Sequence, residues 1–155
     1  MVVIRPATHD DIHTLTAMVM EFFSNGELEG TGLTPDEDTI EFFIQDCIDL
    51  EAHAVFVAEV EGEIIGAIAG GIAPWMWSAN IVTLMELGWF IPHKNREKHP
   101  KAALALRRAF HKWGKDNGAT VLIMVSTKRE ESPRVMRFYE KSGLKHIDSN
   151  FIGPL

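Results

Sequence analysis

The stretch WFIPHKNREKHPKAALALRRAF, residues 89–110, decides how this chain is read. An apolar, strand-like run ends at a segment holding His93, Lys94, Arg96, Lys98, His99 and Lys101. A helix with an Ala/Leu face then begins at Pro100. A helix N-terminus carries unpaired amides and partial positive charge, so it attracts anions. The whole chain has a net charge of −7, yet it gathers cations at this one place. That arrangement suits a phosphate. The plainer alternative is a solvated connection between two elements.

Working outward, Leu106, Ala109, Phe110 and Trp113 make the buried stripe of that helix, and Gly118 supplies its stop. VLIMVS, from Val121, reads as a strand covered on both faces. Ser132-Pro133 opens another helix, carrying Val135, Met136, Phe138 and Tyr139 and ending at Gly143. LKHI and the terminal FIGPL read as last strands. Upstream, Val2–Ile4 is a short strand stopped by Pro6, and Thr8 caps a helix with Asp10 and Asp11 in its first turn. Thr34, Pro35 and Glu37 predict the start of a second helix, with Ile40, Phe43, Ile44, Cys47 and Ile48 as its apolar stripe. AVFVAEV and EIIGAIAGGI form a hairpin about Glu61-Gly62, and Gly70-Gly71 reads as a bulge or close-packed point. A loop, PWMWSAN, leads to the long strand IVTLMELGWFI. The order β α α β β β α β α β predicts one mixed α/β domain over residues 1–155, with helices on both faces of a central sheet.

Composition bounds the function. With 46% hydrophobic and 24% charged residues, the 155-residue chain suits one globular domain. No apolar run reaches the ~20 residues that cross a bilayer, and the first residues lack a signal-peptide pattern. The single cysteine, Cys47, makes no internal disulfide and falls on an apolar helix face, which suits core packing and a reducing, cytoplasmic setting. An acidic balance argues against nucleic-acid binding. The seven histidines show no metal-ligand spacing, and no GxSxG elbow is present, so no metal and no covalent nucleophile are expected.

Four segments together resemble the GNAT N-acetyltransferases: IRPATHDDI, AEVEGEIIGAIAGG, ELGWFIPHKNREKHPKAALAL and RFYEKSGLK. The last matches that family's tyrosine, three residues, glycine, hydrophobic pattern at Tyr139, Gly143 and Leu144. The resemblance implies a mostly antiparallel, twisted sheet with a splay between its fourth and fifth strands, and acetyl-coenzyme A as co-substrate in that gap. The backbone of Trp89, Phe90 and Ile91 would then pair with the pantetheine arm. The family's loop, Arg or Gln, two residues, Gly, one residue, Gly or Ala, falls on Arg96, Glu97, Lys98, His99, Pro100 and Lys101, just before Ala102. Arg96 matches. His99 and Lys101 replace the small residues that let a backbone approach a phosphate, and Pro100 removes an amide. Charge from Lys98, His99 and Lys101 is expected to offset that loss.

Transfer to nitrogen needs a base for the amine and a proton for the departing thiolate. Glu86 lies in the apolar run before the loop, where burial would raise its pKa and make it the base. Tyr139, the one tyrosine, stands at the family's acid position, and Ser132 lies at the start of the same helix as an N-cap or a coenzyme contact. Lys94, Arg107 and Arg108 read as surface charges. Around the acceptor, Glu27 and Glu29 offer attraction for a cation, and Trp75, Met76 and Trp77 offer an aromatic wall. The acceptor is expected to be a primary amine, small or on a protein, and a homodimer is allowed for. The competing expectation is a GNAT-fold protein without catalysis, acting through protein contacts at Trp75–Trp77.

Overall fold

The alternating pattern resolves into a five-stranded sheet in the computed structural model, which describes residues 1–24, 26, 28–125 and 132–147. Strands β1 (Val3–Pro6), β2 (His53–Val60), β3 (Glu63–Trp75), β4 (Ser78–Phe90) and β5 (Val121–Ile123) lie side by side in chain order. The first three junctions are antiparallel and the β4–β5 junction is parallel. Helices α1 (Ile12–Phe23), α2 (Glu37–Asp49), α3 (His93–Lys98), α4 (Ala102–Asp116) and α5 (Ser132–Lys141) complete the domain.

Period-two alternation sends neighbouring strand residues into two cores. On one face Ala58, Ile65, Ile68, Leu84 and Ile91 pack with Leu106 and Phe110 of α4. On the other, Val55 and Val57 pack with Leu15 and Met18 of α1 and with Ile44 and Cys47 of α2. Burying Leu106 and Phe110 completely contributes on the order of 2–3 kcal/mol each. Cys47 is a core residue, as its position on the helix face implies, and burial pushes its thiol up to about 11. The β2–β3 hairpin turns on Glu61 and Gly62, both at positive φ (53° and 86°), as a two-residue turn requires. Arg5 of β1 donates to both carboxylate oxygens of Asp11 (2.7 and 2.9 Å) and to Glu59 (2.8 Å), fastening the start of α1 to the sheet.

Several local expectations need correction. Asp36, not Thr34, caps α2: its Oδ1 accepts from the Thr39 amide at 2.8 Å, because the helix starts two residues later than the Thr-Pro signal suggests. Phe43 lies outside the α2 stripe and is 48% exposed. PWMWSAN is not a loop. Trp75 pairs with Ser78, so β3 and β4 continue to a two-residue turn at Met76-Trp77. The basic segment before α4 is itself helical, as α3. The strand expected over VLIMVS is only Val121–Ile123, and Val121 and Val125 are both exposed. LKHI is irregular, and FIGPL lies outside the described residues.

Gly70 sits at a register shift: Ala69 pairs with Gly88 and Gly70 with Glu86, leaving Leu87 as the extra residue of a bulge in β4. A Cβ on Gly70 would stand 2.2 Å from the Met85 carbonyl oxygen and 2.4 Å from the Phe110 ring. Gly70→Ala should therefore destabilise the fold by about 2–3 kcal/mol, lowering Tm by roughly 5–10 °C. A thermal melt unchanged within about 2 °C would show that this approach is not a constraint.

Candidate active site

The site begins where β5 leaves β4. The two strands pair only at Thr83–Val121, Leu84–Leu122 and Met85–Ile123. Beyond that point the Val125 amide donates to Glu86 Oε2 at 3.0 Å instead of to the β4 backbone. The Tyr139 hydroxyl, from α5, donates to the Val125 carbonyl oxygen at 3.1 Å. One residue thus ties together the acid and base that the sequence nominates. Residues 87–90 of β4 keep one edge without a strand partner among the described residues. Gly88 is exposed, and a Cβ on its face of the strand would meet no described atom within 4 Å.

Glu86 is only 5% exposed, and burial raises its pKa to about 7, with the Val125 amide acting in the opposite direction. Near neutral pH the carboxyl is close to half ionised. Tyr139 is buried as well. Burial first, and the nearby Glu86 charge second, push its phenol above the usual range, so it holds its proton. Arg107 lies over the Phe138 ring, 4.7 Å from its centroid, and donates to Ser142 Oγ at 2.7 Å. It is therefore a packed residue of the α4–α5 junction rather than the surface charge its sequence context suggests, and its charge opposes the rise in the Tyr139 pKa. Trp89 packs against Phe138, with ring centroids 6.2 Å apart.

The basic segment is partly self-satisfied. Asn95 and Arg96 amides donate to the Pro92 carbonyl (2.9 and 3.1 Å), His99 to Asn95 (2.8 Å) and Ala102 to His99 (2.9 Å). Pro100 has no amide to offer. Asn95 Nδ2 donates to the Ile65 carbonyl at 3.1 Å, pinning α3 to β3. Lys98 and Lys101 are exposed, and Arg96 and His99 are half-buried. Glu97 is exposed and stands 3.9 Å from His93. Ile91 and Ala102 turn their side chains into the core.

The acceptor candidates do not converge. Glu29 is exposed in the α1–α2 connection, and Glu27 lies outside the described residues. Trp75 and Trp77 stand at the hairpin tip, and Ser78 is eight residues before Glu86, about 27 Å along an extended strand. They do not share a wall with Glu86. Ser132 is the first residue of α5. Sequence reasoning missed Arg107, Val125 and Phe22, whose ring packs edge-on against Phe90 with centroids 5.3 Å apart. An aromatic at the end of α1 was the available signal for the last. Among the described residues no cluster of His, Cys, Asp or Glu could hold a metal, and no helix is long and apolar enough to cross a membrane.

No family profile matches the sequence, and no curated protein matches it by sequence. Solved structures do match in fold. A transcriptional regulator from Bacillus halodurans C-125 superposes with a TM-score of 0.78 at 17% identity, covering 100% of both chains. The aminoglycoside acetyltransferase AAC(6')-Iy, in complex with a coenzyme A–acetylneamine bisubstrate analogue, gives 0.77 at 15% identity over 100% of this chain and 98% of that one. A predicted acetyltransferase with acetyl-CoA from Clostridium acetobutylicum gives 0.74 at 15% identity, over 97% and 94%. The chain has the fold of the GNAT acetyltransferases, as its four segments implied.

The Glu86 shift has a stability consequence. Its folded pKa lies above the ordinary carboxylate value, so its stabilising share is complete at low pH and is lost as pH rises through about 7. Glu86→Gln keeps an acceptor for Val125 without the charge. It should unfold at higher temperature than the parent above pH 7, by the equivalent of roughly 2–3 kcal/mol, and match it below about pH 4.5. Melting curves whose difference ignores pH would overturn the assignment of a buried, ionising carboxyl.

Proposed function

We propose that the protein transfers an acetyl group from acetyl-coenzyme A to a primary amine by direct attack within a ternary complex. The observation that carries this reading is the splay itself. A buried carboxyl of raised pKa and a protonated phenol meet at Val125, beside an open strand edge. Coenzyme A or acetyl-CoA is present in the AAC(6')-Iy and Clostridium structures of the same fold, which supports the same co-substrate here.

The residues fit such a ligand in two ways. The free edge at 87–90 offers backbone groups to an amide-bearing arm, as an added strand would. Arg96, Lys98, His99 and Lys101 supply charge to its phosphates, whereas most loop amides are already paired. Acetyl-coenzyme A supplies an activated thioester carbonyl. Glu86, ionised above about pH 7, accepts a proton from the attacking amine, directly or through water. The nitrogen lone pair bonds to the carbonyl carbon, the carbon–sulfur bond breaks, and the Tyr139 hydroxyl gives its proton to the thiolate. The hydrogen bond to Val125 keeps Tyr139 placed until then.

Calorimetric titration with acetyl-CoA should show 1:1 binding. No heat at ligand concentrations of about 1 mM would sink the reading. Gly88→Leu would place a bulky side chain on that exposed face of β4, so it should weaken that binding at least tenfold or so while leaving Tm within about 2 °C. Tyr139→Phe should lower turnover by about ten- to a thousandfold with coenzyme affinity nearly unchanged. Equal turnover would remove Tyr139 from the chemistry. One observation favours the non-catalytic alternative: Trp75, Met76 and Trp77 are exposed at a tip remote from Glu86. Sustained turnover on simple amines would discard it.

A further inference from the structure

Arg107 of α4 is a cation clamped onto α5. Its Nη1 donates to Ser142 Oγ at 2.7 Å, and its guanidinium carbon stands 4.7 Å from the centroid of the Phe138 ring. Ser142 Oγ itself donates to the Phe138 carbonyl oxygen at 2.8 Å, which leaves its lone pairs for Arg107. Phe138 and Ser142 are four residues apart, so they hold the guanidinium along a single face of α5. A long cationic side chain ordinarily keeps its head in water. Here the Arg107 Nε is buried without a hydrogen-bond partner, and no carboxylate pairs with the guanidinium among the described residues. Partial burial of an unpaired charge is costly, so packing alone would favour a neutral side chain at this position.

Beside the clamp lies Tyr139, whose ring centroid is 5.9 Å from that of Phe138. Burial is the main cause of its raised pKa; Glu86, from β4, adds to the rise, and Arg107, from α4, opposes it. Arg107 is itself lowered by burial first, with Arg108 adding to that and Tyr139 opposing it. One turn along α4, burial and then the charges of Arg107 and Lys115 lower His111. Among the described residues, Arg107 is the one cation that acts on the phenol.

The acid step needs such a group. A free phenol titrates at about 10 and a free thiol at about 8.5, so moving a proton from tyrosine to a departing thiolate runs uphill by a factor of roughly thirty. Burial steepens the climb, because the phenolate left behind is poorly solvated. Once Glu86 has taken the proton of the amine, its negative charge is gone and the Arg107 charge acts unopposed.

We propose that Arg107 is a positioning residue for the acid step: clamped by Phe138 and Ser142, it holds the positive charge that steadies the phenolate left when Tyr139 protonates the thiolate. This rests on the acetyl-transfer reading of the splay. One proton passes from the amine to Glu86 and one from Tyr139 to sulfur, and exchange with water resets both groups. A preplaced charge acts where charge develops, so it should govern turnover more than affinity.

Tyr139 is the chain's one tyrosine, so supplying a ring-difluorinated tyrosine labels this position alone. The fluorines make the phenol more acidic, and fluorine NMR then follows its ionisation in the folded chain without coenzyme. Arg107→Gln should move the midpoint up by about one pH unit and Arg107→Lys by about half of that or less, whereas Glu86→Gln should move it down. In acetyl-CoA assays with n-propylamine as acceptor, Arg107→Gln should lower kcat about three- to tenfold, with the KM for acetyl-CoA within roughly twofold. Arg107→Lys should recover at least about half of the parent's kcat. Arg107→Met keeps an unbranched chain on Phe138 and stands in for Arg107→Gln should that variant fail to fold. Equal midpoints in the parent and the neutral variant overturn the proposal. So does a shifted midpoint with unchanged kcat, or a loss of kcat that Arg107→Lys shares in full. Failure to bind acetyl-CoA overturns the transfer reading instead, and the coenzyme-free titration still decides whether Arg107 governs Tyr139.

Discussion

The parallel junction of β4 and β5 closes for three residue pairs, and then the Val125 amide turns from the β4 backbone to the carboxylate of Glu86. An amide leaving a sheet must find another acceptor, because an unpaired buried N–H costs about as much as a lost hydrogen bond. Glu86 provides that acceptor, and its own burial is tolerable only because the amide is there. Each group is therefore the condition for the other. The open strand edge and the placement of Tyr139 on the Val125 carbonyl go with that exchange, while burial raises the carboxyl pKa against the pull of the amide. The bulge at Leu87 lies directly beside it, and Gly70, at the same register shift, leaves room for the Met85 carbonyl and the Phe110 ring.

The basic segment shows a different compromise. Winding residues 93–98 into α3 spends amides that a looser loop would present to an anion. What remains is side-chain charge, carried on Arg96, Lys98, His99 and Lys101. Charge is less selective than a fitted backbone cradle and more easily screened. A site built on it is expected to hold phosphates with strong dependence on ionic strength.

Much of the fold was legible in the sequence wherever period and punctuation agreed. The α4 stripe through Leu106 and Phe110, the Glu61-Gly62 turn and the crowding at Gly70 could all be read directly. Glu86 was conspicuous because a carboxylate in an apolar strand is expensive. Other features left no local mark. The Met76-Trp77 turn contains neither glycine nor asparagine, so the long hairpin looked like a loop. Six-residue α3 is too short to display a period. The apolar run at Val121–Val125 suggested cover on both faces, but composition cannot show whether a neighbour arrives, and Val125 is 54% exposed. Arg107 looked like a surface charge because its packing depends on α5, some thirty residues further along.

The long β3–β4 hairpin also fixes how the molecule would report on itself optically. Of four tryptophans, Trp75 and Trp77 sit at the exposed tip, Trp113 stacks on Phe110 in the core, and Trp89 alone lies beside the splay. Emission from the tip pair should be red-shifted and open to quenchers in solution, whereas light from Trp113 should follow unfolding. A fluorescence change on filling the splay would therefore come from Trp89 over a background set elsewhere. Replacing Trp75 and Trp77 with phenylalanine would leave a chain whose remaining indoles separate the site from the core.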